Sequence, residues 1–318
     1  MFPIYTLDKL KVKKFEAVET EKIGEGSYGK IYLHNSKVYK LIRVLNDDEI
    51  NAALNEITIH EACYRVRSRV RKNDLLIARI PKIYDVFRQN VTKPDSPSMD
   101  IIVVMENVGE SFHKVMERKI NNSTNGVNKT ILRQTCAVVY QLSELIKLLQ
   151  KKLRFSHRDL HTSNVMLTPS TETNECGDSL YNVYMIDFGF ARIDIGNRTF
   201  YGDSYFETTK FVPRFDLTLF IFDVFYYTFR CKILGRKRVT CTRTLPQNVL
   251  NLWERILFST GIQFQNLLNN DVEQTVDRAK LYDIIMDHHQ PAKELTSIPF
   301  IQKQVKLLIH ELCSSATP

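Results

Sequence analysis

The chain has 318 residues, 43% of them apolar and 25% charged, with a formal net charge of +8. That apolar share excludes disorder as the default state, and the length suffices for one large domain or two lobes with a sizeable core. The positive balance favours anionic partners (a nucleotide, acidic substrate segments, or substrates held on nucleic acid) without choosing among them.

Residues 1–19 mix apolar and charged side chains and read as a lead-in strand or arm on a first lobe. They lack the charged-then-apolar-then-small order of a secretory signal. From Ile23 the chain runs Gly24-Glu25-Gly26-Ser27-Tyr28-Gly29-Lys30-Ile31-Tyr32, a Gly-x-Gly-x-x-Gly spacing flanked on both sides by strand-forming residues. Dinucleotide-binding folds use the same spacing but open a helix after it. A hairpin lid fits better, with glycines that let backbone N–H groups approach phosphate oxygens. A turn at Asn35-Ser36 leads to Lys37-Val38-Tyr39-Lys40-Leu41-Ile42, a strand carrying two candidate lysines.

A helical pattern spans Asp47 to Arg71 and carries Glu56, His60 and Glu61. Two strands follow, Ile83 to Phe87 and Asp100 to Met105, separated by a polar, proline-containing loop from Arg88 to Met99. Residues 121–129 are Asn-rich and polar, which predicts a surface loop. From Thr130 to Leu153, Ile131, Val138, Leu142, Leu145, Ile146 and Leu149 recur at helical spacing and predict a core-facing stripe.

The chemistry concentrates at Ser156-His157-Arg158-Asp159-Leu160-His161-Thr162-Ser163-Asn164 and at Ile186-Asp187-Phe188-Gly189. Asp159 can accept a proton from an attacking hydroxyl, while Asn164 and Asp187 supply hard oxygen ligands suited to Mg²⁺. Between the two stretches, the Ser/Thr/Asn/Gly-rich segment Thr168 to Leu180 reads as an enlarged hairpin loop before a strand from Tyr181 to Ile186. The longest apolar run, Leu217 to Phe229, is interrupted by Asp223 and is too short to span a bilayer. Further helical patterns at Gln247–Phe258, Val272–Met286 and Ile301–Cys313 predict a helical C-terminal region. Asp287-His288-His289 reads as surface, because adjacent histidines at a helix end point in different directions.

Six cysteines (Cys63, Cys136, Cys176, Cys231, Cys241, Cys313) form no Cys-x-x-Cys pair and read as small, mostly buried residues of a reducing compartment. The basic clusters Lys11–Lys14, Arg65–Lys72 and Arg236–Arg238 read as solvated faces, so a nucleic-acid partner is left open without being predicted. A soluble protein of the cytoplasm or nucleus, with no membrane partner, is expected.

His-Arg-Asp-x-x-x-x-Asn followed by Asp-Phe-Gly, downstream of a glycine-rich loop and a strand lysine, resembles the eukaryotic-type protein kinases over residues 20–225. The resemblance implies an α+β, bilobal fold with a small β-rich N-lobe (residues 1–107) and a larger helical C-lobe (108–318). It also implies ATP and Mg²⁺ as cofactors and serine or threonine hydroxyls of protein substrates as acceptors. By the same resemblance Lys40, in Val38-Tyr39-Lys40, contacts the α- and β-phosphates, and Glu56 is preferred to Glu61 as its helix partner. Gly24, Gly26 and Gly29 cover the phosphates, and Ile23, Ile31 and Val38 line the adenine site. Met105 guards its back, Glu106 and Val108 form the hinge, and Met166 is the floor. Asp159 positions the acceptor hydroxyl, Asn164 and Asp187 bind the metal, and Asp216 braces the catalytic loop.

Two departures shape the reading. His161 stands where lysine is usual, and its imidazole can donate to the γ-phosphate. The Ala-Pro-Glu motif is missing; Val212-Pro213-Arg214 is the nearest match. Both features resemble the haspin branch, and the compact form suits a kinase encoded by a large DNA virus. Arg158 could clamp a phosphorylated Thr199, Tyr201, Ser204, Thr208 or Thr209, although a segment held by packing is the favoured reading. Asp-Leu-His-x-x-Asn also occurs in small-molecule kinases such as the aminoglycoside phosphotransferases, so a small-molecule phosphotransferase is the alternative. A nucleotide-binding pseudokinase scaffold is a third reading, disfavoured by retention of Lys40, Asp159, Asn164 and Asp187.

Overall fold

The computed structural model describes residues 2–15, 21–26, 29–69, 77–91, 98–123, 128–202, 211, 213, 215–224 and 298–314. The helical patterns read at Gln247–Phe258 and Val272–Met286, the Asp287-His288-His289 cluster, Ser27 and Tyr28, Cys231 and Cys241, and Ser204, Thr208 and Thr209 lie outside them.

Six strands make the first sheet: β1 (Lys11–Val12), β2 (Glu21–Gly26), β3 (Gly29–His34), β4 (Lys37–Val44), β5 (Ile83–Val91) and β6 (Ser98–Glu106). Their spatial order is β1-β5-β6-β4-β3-β2. Asn35 and Ser36, at φ 48 and 61, form the tight turn between β3 and β4. Strand alternation then sorts the apolar residues. Ile42, Val86, Ile101 and Val103 face α1 (Asp47–Ser68), meeting its Ala53, Leu54 and Ile57. Tyr39, Leu41, Phe87, Ile102 and Val104 face the other way and are covered by Phe15. Asn46 caps α1 by accepting from the Glu49 N–H, which fixes where the helix begins.

The second half is built around α3 (Lys129–Leu153). Its stripe Ile131, Val138, Leu142, Leu145, Ile146 and Leu149 is almost fully buried and joins the main core. Around it lie β7 (Glu110–Ser111), α2 (Phe112–Asn122), β8 (Val165–Thr173), β9 (Ser179–Met185), β10 (Arg192–Ile195), β11 (Arg198–Tyr201), α4 (Phe215–Asp223) and α5 (Ile298–Ser314). The result is the expected α+β arrangement, with a β-rich N-terminal region and a helical C-terminal one. Among the described residues, no helix is long and apolar enough to cross a membrane.

Three expectations are corrected. The segment read as a loop from Thr168 to Leu180 is mostly strand: β8 and β9 continue to Thr173 and from Ser179, and only Asn174–Asp178 turns. Asn174 Oδ1 accepts from the Cys176 and Asp178 N–H groups, an Asx-type turn that lets a polar sequence stay ordered. Likewise the loop expected at Arg88–Met99 begins as strand, since β5 runs to Val91 and β6 resumes at Ser98. Finally, the cysteines are not all free. Cys63 and Cys136 are buried thiols, but Cys176 and Cys313 form a disulfide between the β8–β9 turn and α5, with Cα atoms 5.7 Å apart. The same turn is held by Asp178, which pairs with Arg133 of α3, while Arg133 Nη1 donates to the Leu312 carbonyl.

Candidate active site

The β4 register sets the site. Lys40 lies opposite Ile31 of β3 and Val103 of β6, and Val38 lies opposite Met105. Directly opposed residues share a face, so Ile31, Val38, Lys40, Val103 and Met105 all project from one side of the sheet. On that side Lys40 Nζ donates to Glu56 Oε1 at 2.6 Å and to Asp187 Oδ1 at 3.0 Å. Glu61, the alternative partner, instead accepts from Arg65 at 2.7 Å. Lys37, the alternative lysine, lies over the Tyr84 ring. Burial opposes the Lys40 charge, yet the Asp187 and Glu56 carboxylates hold its pKa above the usual lysine value. The Lys40 charge in turn is the main reason the Asp187 carboxyl is held below the usual range.

Two loops meet beneath this triad. The Ile186 N–H donates to the Asn164 carbonyl at 3.0 Å, which ties the segment before Asp187 to the end of the loop that carries Asp159. Asn164 Nδ2 donates to the Asp159 carbonyl at 2.9 Å and to Asp159 Oδ2 at 3.3 Å. Its amide nitrogen is therefore committed to Asp159, and Oδ1 is the atom suited to a cation. The Ser163 N–H donates to His161 Nδ1 at 3.2 Å, so the neutral ring carries its proton on Nε2, the atom 3.5 Å from Asp159 Oδ2. An oxygen-only pair, Asn164 Oδ1 and the Asp187 carboxylate, is a donor set that fits Mg²⁺.

The same loops carry backbone strain as well. Arg158 has φ 67 and Asp187 has φ 63, both in the left-handed region. Arg158 is held there by Asp216 of α4, whose buried carboxylate accepts from the His157 and Arg158 N–H groups at 2.7 and 2.8 Å. Burial pushes the Asp216 pKa up, and these donors pull against that shift.

The residues expected around a nucleotide are placed as follows. Gly24 lies across from Ile31 and Gly26 across from Gly29, while Ile23 is 41% exposed. A Cβ on Gly29 would come within 2.2 Å of the Leu41 carbonyl oxygen, so close strand approach alone demands glycine there. The Glu106 N–H donates to the Lys82 carbonyl at 2.9 Å; any hinge contact from Glu106 to a nucleotide must use its carbonyl. Val108 is buried, and Met166 pairs with Ser111 at the start of β8.

Three features were not singled out in the sequence. Asp223, noted only as a break in an apolar run, accepts from the Thr162 N–H at 2.6 Å. Gly202 lies against Gly189, donating its N–H to the Ala191 carbonyl at 2.9 Å. Asp194 accepts from Arg192 at 2.9 Å and from Thr199 Oγ1 at 2.8 Å and pairs with Arg154 at 3.3 Å, which pins the β10–β11 hairpin. Tyr201, already named in the sequence as a phosphorylation candidate, lays its ring 5.8 Å from the Arg158 guanidinium carbon.

His60, named in the sequence on the pattern that became α1, is a core histidine. It stacks on Phe188 with ring centroids 4.9 Å apart, and its Nε2 donates to the Pro81 carbonyl at 2.7 Å. Burial lowers its pKa to about 4 from an ordinary 6.5, with Lys40 and Asp187 the nearby charges. The unfolded chain therefore takes up a proton between those values that the folded chain refuses. Stability is full above pH 6.5 and falls as pH drops toward 4. By that linkage His60 should remove about 2 kcal/mol between pH 7.5 and pH 5. Urea unfolding at both pH values should show this loss in the parent and its absence in His60→Leu.

A protein kinase domain model matches residues 17–213, well over half of the chain. No curated protein sequence matches it significantly. A lysine bridging a helix glutamate and the Asp-Phe-Gly carboxylate, set above an Asp–Asn catalytic loop, is the arrangement that such a domain uses for phosphoryl transfer. The chain belongs to the protein kinase domain family.

Proposed function

We propose that the protein is an ATP-dependent kinase that transfers the γ-phosphoryl group to serine or threonine hydroxyls of protein substrates. The observation that carries the reading is the paired contact of Lys40 Nζ with Glu56 and Asp187. A lysine so held is aimed and kept charged, which is what orienting a triphosphate requires. Ile31, Val38, Met105 and Met166 are assigned to the adenine site, with Ile23 and Val108 at its mouth and hinge. The strands around Gly24, Gly26 and Gly29 are assigned to the phosphates.

Asn164 and Asp187 are assigned to Mg²⁺, which would neutralise phosphate charge as it develops in the transition state. Asp159 accepts the proton of the incoming hydroxyl. His161, with Nε2–H turned toward Asp159, holds that carboxylate in place and can donate to a phosphate oxygen. The Asp194 ion pairs and the Arg158–Tyr201 contact support a segment held by packing, without a phosphate switch. That feature and the missing Ala-Pro-Glu favour a haspin-like affiliation.

The test is transfer of labelled phosphate from ATP with Mg²⁺ by the purified chain, offered a mixed protein substrate and a panel of small hydroxylated acceptors. The expected result is label on protein, recovered as phosphoserine or phosphothreonine. Label confined to small acceptors would favour the aminoglycoside-type alternative, and nucleotide binding without any transfer would favour a scaffold.

A further inference from the structure

Asp223 closes α4 and is 3% exposed. Burying a carboxylate costs several kcal/mol unless backbone donors or a cation meet it. The Thr162 N–H is such a donor, at 2.6 Å. Thr162 is itself 3% exposed, and its carbonyl accepts from the His113 N–H of α2 at 3.3 Å. The residue is gripped at both backbone ends.

Its place in the loop gives that grip a consequence. Around Thr162 the chain makes a tight turn in which the Ser163 N–H donates to His161 Nδ1 and the Asn164 N–H donates to the His161 carbonyl at 2.9 Å. Fixing Thr162 therefore fixes the two side chains that touch Asp159, namely His161 and Asn164. Asp216, seven residues earlier on α4, takes the His157 and Arg158 N–H groups on the other side of Asp159. Seven residues are about two helical turns, or roughly 10 Å, so both carboxylates project from one face of α4. One helix thus clamps the loop before and after its reactive carboxylate.

We infer that Asp223 is a positioning residue for the phosphoryl-transfer site, setting the turn that carries His161 and the metal-facing Asn164. The inference rests on the proposed kinase reading for its catalytic consequence, but its geometric part does not. Asp223→Leu removes the acceptor and leaves the Thr162 N–H buried without it. Amide exchange across residues 161–164 of the nucleotide-free protein should then accelerate at least about 10-fold. With the turn displaced, kcat should fall about 10²-fold while KM for ATP changes by less than about 3-fold.

Asp223→Ser, whose hydroxyl stops short of the Thr162 amide, carries the test if the leucine variant does not fold. Asp223→Asn keeps an acceptor oxygen and should recover most of the turnover. Unchanged exchange in Asp223→Leu or Asp223→Ser would overturn the brace. Parent-like kcat, measured well below Tm, in a variant with accelerated exchange would overturn the positioning role. Accelerated exchange in a protein whose parent shows no turnover would uphold the brace and count against the kinase reading instead.

Discussion

Replacing Asp187 with asparagine is expected to lower kcat on the order of 10³-fold, because the Mg²⁺-binding role proposed for it would contribute several kcal/mol of transition-state stabilisation. The substitution is a clean probe on backbone grounds. Asp187 sits at φ 63, a conformation that asparagine tolerates at least as well as aspartate. What changes is charge. Lys40 keeps its Glu56 partner at 2.6 Å, so the lysine stays anchored while the anion 3.0 Å away disappears. Nucleotide binding in the absence of Mg²⁺ should therefore survive or tighten, and the enhancement of binding by Mg²⁺ should be lost.

Asp159→Asn offers the contrast. Loss of the proton acceptor should cost about 10²–10⁴-fold in kcat, with Mg²⁺-dependent nucleotide binding intact. Thermal shifts with ATP, alone and with Mg²⁺, separate the two variants even where both are inactive. Parent-like turnover in either variant would remove that residue from the proposed chemistry.

Much of this site was legible because kinase chemistry needs particular functional groups at fixed separations. Asp159 and Asn164 are five residues apart on one loop, and on α1 the choice lay between Glu56 and Glu61, five residues apart. The register of β4 resolved that choice by burying Lys40 beside Glu56 and leaving Glu61 to Arg65. What escaped depends on tertiary context. The polar stretch Thr168–Thr173 has no apolar alternation, yet it pairs with β9 because the Asn174–Asp178 turn fixes the hairpin. Cys176 and Cys313 are 137 residues apart, and nothing local announces that they meet. Asp223 looked like a blemish in an apolar run, though a lone carboxylate in such a run must find donors, and the nearest belong to the catalytic loop.

Gly202 shows the same dependence in steric form, and Gly202→Ala is expected to lower kcat about 10²-fold without touching any group assigned to chemistry. A Cβ built on Gly202 would lie 1.8 Å from the Gly189 carbonyl oxygen, 2.4 Å from its carbon and 3.1 Å from the Phe188 carbonyl oxygen. All three are backbone atoms, so no rotamer change relieves the overlap. Ordinary contact needs roughly 3.4 Å or more, and one strand of chain must retreat by more than an ångström.

The Gly202 side is anchored by its N–H bond to the Ala191 carbonyl and by the β10–β11 hairpin behind it. The Gly189 side carries Phe188, which is fully buried between His60 and His157. Whichever side yields, the turn after Asp187 moves, and its carboxylate leaves the position set by Lys40. A shift near 1 Å at a reacting group suffices for the expected loss. Its signature should be a fall in kcat together with weaker Mg²⁺-dependent binding, in a variant whose Asp159, Asn164 and Asp187 are all intact. Parent-like kcat in Gly202→Ala would mean that the segment after β11 can leave the Asp-Phe-Gly turn at no cost to the site.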